Sequence, residues 1–210
     1  MKVSEHAGLK RSVDIVMSFI LLAILFPFML TIAILIMLDS PGFPIYAQLR
    51  KGKHQIPFRM YKFRTMWKDA HQWRTYLAGD NEVDGILFKI KNDARITRLG
   101  AILRKYSIDE LPQLLNVLKG DMSLVGPRPF PLEDFEDKRV EHPLLDRWLF
   151  SRHHVLPGLT GLWQVSGRND LPFEKLIRLD LAYLRGATLL SDFGILWRTI
   201  AVVLNKKGAY

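Results

Sequence analysis

The sequence predicts an α-rich α+β fold that lies on a membrane. The expected form is a monotopic protein with an N-terminal re-entrant helix-break-helix over residues 12–38. A body of residues 39–210 follows, carrying interfacial amphipathic helices and a small β element. Three observations carry this. Ile15 to Leu38 is a run of 24 residues without a charge. Basic residues flank that run on both sides. Beyond it, apolar residues recur mainly at helical spacing, and strand-like stretches are confined to a short segment near residues 45–63.

The first element follows from length and charge. As a helix, the charge-free run would reach roughly 36 Å, against a bilayer core of about 30 Å. It is too long for a signal peptide, and no small-residue cleavage site follows it. A buried core helix is the plain alternative, although the run is apolar on every face. Lys2, Lys10 and Arg11 precede it; Arg50, Lys51, Lys53, Arg59, Lys62, Arg64 and Lys68 follow, against Asp39 alone. Basic residues favour the cytoplasmic side, so both ends are expected there, and a single crossing does not satisfy that. Pro27 lies near the middle and removes one backbone donor, which places the break there. A simple spanning helix is the competing topology.

Asp39-Ser40-Pro41-Gly42-Phe43-Pro44 is a turn cluster that ends this segment. Ile45–Ala47 and Pro57–Phe63 read as strands, and Trp67–Asp84 as a polar helix followed by a loop. Ile96, Leu99, Leu103 and Tyr106 form a helical stripe, with Arg98, Arg104 and Lys105 off it. A further helix is expected from Ser107, where Ser107 and Glu110 match a capping box and Leu111, Leu114, Leu115 and Leu118 supply a buried face. Pro112 fits only its first turn. Gly120–Pro131 reads as an ordered loop, Leu132–Val155 as mostly helical, and Phe173–Leu184 as a helix. Leu189–Leu204 is apolar but holds Asp192 and Arg198, which suggests an interfacial helix rather than a second span. Trp148, Trp163 and Trp197 fit either headgroup depth or the core.

The net charge of +9 invites nucleic acid, anionic lipid or phosphorylated small molecules as partners. The apolar run and the lack of interleaved aromatic and basic residues argue against nucleic acid. With no Cys, disulfides and thiolate metal sites are excluded.

Asp109 and Glu110 are the focus of the chemistry. Adjacent carboxylates repel, yet bases surround these: Arg98, Arg104 and Lys105 before them, Lys119 and Arg128 after. Acids among bases suit an anionic ligand that needs a divalent cation, and a phosphate ester fits. Two readings stand. The pair caps a helix and complements its dipole, or one carboxylate attacks phosphorus beside Mg²⁺, which commonly bridges one or two carboxylates to phosphate. Lys62, Arg64, Arg104, Arg128 and Arg168 are the candidate phosphate ligands. Arg128 and Arg168 stand out because Gly126-Pro127-Arg128-Pro129 and Gly167-Arg168-Asn169 are tight loops that present a guanidinium rigidly. His153-His154 shows no metal-site spacing.

Lys62-Phe63-Arg64-Thr65-Met66, Asp109-Glu110-Leu111-Pro112-Gln113-Leu114, Gly120 to Pro129, and Pro157-Gly158-Leu159-Thr160-Gly161 with Gly167-Arg168-Asn169 resemble motifs of the bacterial sugar transferase family, the monotopic phosphoglycosyl transferases. The similarity runs from about residue 10 to about residue 205. It implies an enzyme of the bacterial inner membrane whose catalytic domain, residues 39–210, lies on the cytoplasmic face. It implies transfer of a sugar-1-phosphate from a UDP-sugar to undecaprenyl phosphate with release of UMP, in surface polysaccharide or glycoconjugate assembly. Asp109 would be the covalent nucleophile and a Mg²⁺ ligand, with Glu110 assisting through metal, acceptor or proton. Lys62, Arg104, Arg128 and Arg168 would hold phosphates, and Asp180 matches a polar position near the site. The family anchor is re-entrant, commonly with Ser before the Pro of its break; here Phe26 precedes Pro27. The chain resembles a minimal catalytic unit without the multi-span region of larger members. Lys206-Lys207-Gly208-Ala209-Tyr210 is similar to members that transfer galactose- or glucose-phosphate. A homodimer is compatible with this reading.

Overall fold

The computed structural model describes residues 7–74, 93–132 and 145–205. Parts of three expected elements (75–84, 133–144 and 206–210) lie outside the described residues.

Helix α1 runs from Ala7 to Asp39, 33 residues, or roughly 50 Å. Helical backbone continues through Pro27, so the expected interruption is not present as a break in the helix. A proline in a helix removes one ladder donor, and here the turns on either side persist. Thr31 Oγ1 donates to the Pro27 carbonyl at 3.1 Å. Asp14, Ser18, Ile32 and Ile36 are buried. With the half-buried Leu22, Leu25 and Met29 they mark one stripe at helical spacing along the whole helix. The other faces are open: Val16, Phe19, Ile24, Phe26 and Leu38 are all exposed. Its most apolar stretch is only 11% buried, unlike the mostly buried core helix of a soluble protein, and is consistent with membrane association.

Both ends of α1 are fastened to the same body. Lys10 pairs with Asp192 at 2.6 Å. Arg11 donates to the Val117 and Leu118 carbonyls at 2.6 and 2.9 Å, and Asp14 accepts from the Leu124 amide at 3.2 Å. At the far end Arg64 donates to the Ser40 and Pro41 carbonyls at 2.6 and 2.9 Å and to Ser40 Oγ at 3.0 Å.

Strands β1 (Ile45–Lys51) and β2 (Pro57–Phe63) form an antiparallel hairpin with Ile45 opposite Phe63 and Lys51 opposite Pro57. Helix α2 (Arg98–Lys105) is capped by Thr97, whose hydroxyl accepts from the Gly100 amide at 2.9 Å. Helix α3 (Gln113–Lys119) ends on Gly120 at φ 92, a left-handed position that glycine fills without strain. Leu114 and Val117 are buried, but Leu115 is exposed, because the buried face runs through Gln113, Leu114, Asn116 and Val117.

The expected loop at 120–131 contains a third strand, β3 (Ser123–Val125), which pairs in parallel with β4 (Gly158–Thr160). Helix α4 (Leu145–Arg152) packs on α5 (Phe173–Gly186), and α6 (Leu189–Asn205) closes the described chain. The main core gathers Phe58, Met60, Leu114, Met122, Leu124, Trp148, Trp163 and Ile177. Trp148 and Trp163 therefore belong to the core, whereas Trp197 is 76% exposed. Trp197 sits in an outward stripe with Leu190, Phe193, Ile200 and Leu204, all exposed at spacings of three and four.

Candidate active site

Two half-cores meet under the acidic pair. After α2, Ser107 takes a left-handed conformation (φ 55), and a single tight turn, Ile108–Glu110, carries both carboxylates. Ile108 and Leu111 flank the pair. They pack against the cluster of Ile32, Ile36, Phe63 and Leu103, to which α1, β2 and α2 all contribute. The expected capping box is not formed. Ser107 makes no side-chain cap bond. The Glu110 side chain instead turns to two cations.

Those cations come from opposite directions. Lys62 lies on β2, where the period of two places it on the same face as Phe58 and Met60. Its ammonium stands 2.8 Å from Glu110 Oε1 and 3.5 Å from Asp109 Oδ2. Arg128 follows β3 and grips Glu110 with both terminal nitrogens: Nη1 reaches Oε2 at 3.1 Å, and Nη2 donates to Oε1. Such a two-point grip fixes orientation as well as charge.

The Arg128 loop is held on its backbone. The Gly126 amide donates to the Thr160 carbonyl at 2.9 Å and the Gly158 amide to the Pro127 carbonyl at 2.9 Å. A Cβ on Gly158 would lie 2.1 Å from the Gly126 nitrogen, so this crossing admits no larger residue. Arg50 donates to the Pro129 carbonyl at 3.1 Å. Arg152 donates to the Arg128 carbonyl.

Arg104 and Arg168 complete the ring. Arg104 Nε donates to Thr65 Oγ1 at 2.9 Å. Burial lowers its pKa, and the Asp109 and Asp93 carboxylates oppose that. Arg168 Nη2 donates to Ser107 Oγ at 2.9 Å. Burial lowers its pKa too, against the pull of Glu110. Both guanidiniums feel the acidic pair without forming an ion pair with it.

The two carboxylates are inequivalent. Burial pushes Glu110 up, but Arg128 and Lys62 outweigh it and hold this carboxyl well below the usual range. Burial raises Asp109; the Lys62 ammonium opposes it, and the neighbouring Glu110 charge adds to the rise. Two acids pushed apart by their surroundings are a common sign of divided roles. Glu110 has both oxygens engaged. Among the described residues, Asp109 makes no hydrogen bond beyond the long one from Lys62.

Two expected phosphate ligands are placed elsewhere. Arg64 caps the C-terminal end of α1 through Ser40 and Pro41, so its guanidinium is committed away from the acidic pair. Asp180 is 2% exposed and faces the core. It accepts from Trp148 Nε1 at 2.9 Å and lies 3.8 Å from Arg152. The Arg152 guanidinium is sandwiched at 4.4 Å between the Phe130 and Trp148 rings. Asp180 thus backs Arg152, which backs the Arg128 carbonyl. A carboxylate in that position braces the Arg128 loop from the core side and does not face the acidic pair. Sequence reasoning did not single out Arg152, Thr65 or Asn116. Asn116 Nδ2 donates to the Arg59 carbonyl at 2.7 Å, and its Oδ1 accepts from the Tyr61 amide at 3.0 Å, which locks β2 to α3. Thr65 stood inside a quoted motif, the one signal available.

Four cations gathered about one loosely held carboxylate suit phosphoryl or phosphosugar transfer. The family profile described as bacterial sugar transferase matches residues 5–206. The chain belongs to the bacterial sugar transferase family. Among relatives, the undecaprenyl-phosphate galactose phosphotransferase of Salmonella typhimurium is 44% identical over 209 residues, covering 96% of this chain and 42% of that protein. The UDP-galactose-lipid carrier transferase of Erwinia amylovora is 40% identical, with 99% and 43% covered. The exopolysaccharide production protein PSS of Rhizobium leguminosarum is 40% identical, with 94% and 96% covered. This sugar transferase chain therefore spans less than half the length of the first two and nearly all of the third.

Proposed function

We propose that the protein transfers a hexose-1-phosphate from a UDP-sugar, galactose or glucose, to undecaprenyl phosphate on the cytoplasmic face of the bacterial inner membrane, as a membrane step of surface glycan assembly. The observation that carries this is the asymmetry of the acidic pair: Glu110 gripped at both oxygens, Asp109 held only loosely at 3.5 Å by Lys62. In the first step an Asp109 oxygen bonds to the sugar-bearing phosphorus. The bond from that phosphorus to the bridging oxygen breaks, and UMP leaves with its electron pair. In the second step a phosphate oxygen of the acceptor attacks the same phosphorus and frees the Asp109 carboxylate. Arg128, Arg104 and Arg168 offset charge that grows on the leaving phosphate, a role in which fixed donors gain most. Lys62 holds the dyad together between turns.

We propose Mg²⁺ as the cofactor, held at Asp109. No group of three acidic or histidine side chains gathers among the described residues, and Glu110 is spoken for, which leaves Asp109 with the donor's phosphates as oxygen ligands. When bound, the ion would supply charge neutralisation at the pyrophosphate. The assay is UMP release from a panel of UDP-sugars with undecaprenyl phosphate and Mg²⁺. UDP-galactose or UDP-glucose is expected to give the highest rate, and silence across the panel would overturn the reading.

We also propose that α1 enters and leaves through one leaflet, with the outward stripe of α6 lying on the same lipid. The fastening of α1 to one folded body at Lys10, Arg11 and Asp14 and again at Ser40 supports this reading, with Pro27 as the point where a continuous helix bends. The chain has no Cys, so single cysteines can be introduced cleanly. Ser4→Cys and Lys53→Cys are both expected to react with an impermeant maleimide only in inside-out vesicles. Labelling of Ser4→Cys from the outside of intact cells would sink this topology.

A further inference from the structure

The hydroxyl of Ser107 is the unexpected atom of this site. Its sequence context, Ser107 three residues before Glu110, marks a helix cap, and in that role the hydroxyl would accept from the chain's own amides. It does not. It accepts instead from Arg168, 61 positions away, at 2.9 Å. Both partners stand in the left-handed region, Ser107 at φ 55 and Arg168 at φ 52. Neither is glycine, and a non-glycine residue there carries a backbone cost. Two such residues joined side chain to side chain at the edge of a dyad point to a contact that the fold maintains against local preference.

The placement gives it a purpose. Ser107 directly precedes the turn that carries Asp109 and Glu110. Arg168 sits in a separate turn, Arg168–Asp170, preceded by Gly167 at φ 146. Of the cations at the site, Lys62 and Arg128 are anchored by Glu110 itself, and Arg104 by Thr65. Arg168 has no carboxylate within ion-pair distance among the described residues, and without Ser107 its long side chain would be free to swing. We infer that Ser107 is a positioning residue that holds the Arg168 guanidinium ready for the donor's phosphates. This rests on the transfer reading above.

Four variants and two readouts test it: Ser107→Ala, Ser107→Gly, Ser107→Asn and Arg168→Met, each assayed for UMP release and for equilibrium binding of UDP with Mg²⁺ by calorimetry. Loss of one charge-assisted hydrogen bond is expected to raise KM for the UDP-sugar, and Kd for UDP, about tenfold in Ser107→Ala and Ser107→Gly alike, and, because Arg168 also meets charge that grows on the leaving phosphate, to lower kcat by about tenfold. Asn keeps an acceptor and tolerates φ > 0, so Ser107→Asn should recover part of the loss. In an Arg168→Met background, Ser107→Ala should add less than about twofold. A Ser107→Ala variant with unchanged KM and Kd overturns the inference. So does a normal Ser107→Gly beside an impaired Ser107→Ala, since backbone strain and not the hydroxyl would then be at work. Equal losses with and without Arg168 overturn it as well. If the parent protein neither turns over nor binds UDP, the transfer reading itself has failed, an outcome distinct from these.

Discussion

Asp109→Asn is expected to cut UMP release by at least about a thousandfold, the scale seen when a covalent nucleophile is removed, with a fold at least as stable as the parent. The stability half of this follows from the sign of the Asp109 shift. Burial, the largest cause, raises the carboxyl above its ordinary value. A carboxyl whose folded pKa is raised binds its proton more tightly folded than unfolded, so the parent loses stability as pH rises through the window above 3.8. The neutral amide removes that loss. Lys62 keeps Glu110 at 2.8 Å, so no cation is stranded. The checks are UMP release, thermal melts at pH 5 and pH 7.5, and trapping of radiolabelled sugar-phosphate on the polypeptide. The parent should carry an acid-quenched adduct and the variant none. Near-normal turnover in the variant would refute Asp109 as nucleophile.

Arg128→Met should reduce both activity and stability. Removing a preorganised phosphate ligand costs on the order of a hundredfold in rate. Breaking one side of a largely desolvated ion pair costs about 3 kcal/mol, because Glu110 keeps its charge with only Lys62 beside it. The pH dependence identifies the cause. Glu110 is held well below 4.5 in the parent. It therefore contributes stability present above 4.5 and lost as pH falls through its folded value. The Arg128→Met deficit should be largest near neutral pH and narrow on acidification, as read by urea unfolding at pH 7 and pH 4. Adding Glu110→Gln to Arg128→Met should restore much of the stability and none of the rate. A deficit that is flat with pH would mean that the loop, not the ion pair, had been damaged.

The acidic pair and its two closest cations were legible in the sequence because each sits in a contiguous motif whose composition is unusual. Lys62 and Arg128 needed only a strand face and a rigid Gly-Pro loop to be placed. The apolar anchor and α5 were legible for a different reason: length and period define an element without reference to anything else. What escaped were partnerships across the chain. Arg64 lies two residues from Lys62, yet it caps α1, since the Ser40 carbonyl is brought beside it by the hairpin. Asp180 was expected near the phosphate site, whereas it lies in the core against Trp148 and Arg152. Lys10 and Asp192 meet across 182 positions, and no local pattern reports that. The missing interruption at Pro27 has the same root. A proline removes one bond, and whether the helix continues depends on what its neighbouring turns touch.

Ile108 and Leu111 share one apolar cluster with Ile32 and Ile36, and that has a mechanical meaning. The side chains that brace the acidic turn and those of the greasy rod belong to one packed cluster, with Phe63 and Leu103 among its members. Were that rod immersed in acyl chains, the thickness and lateral pressure of the surrounding lipid would be transmitted to Asp109 as a displacement. Chain length and saturation of the host bilayer would then act as a dial on turnover, with no separate regulatory domain required.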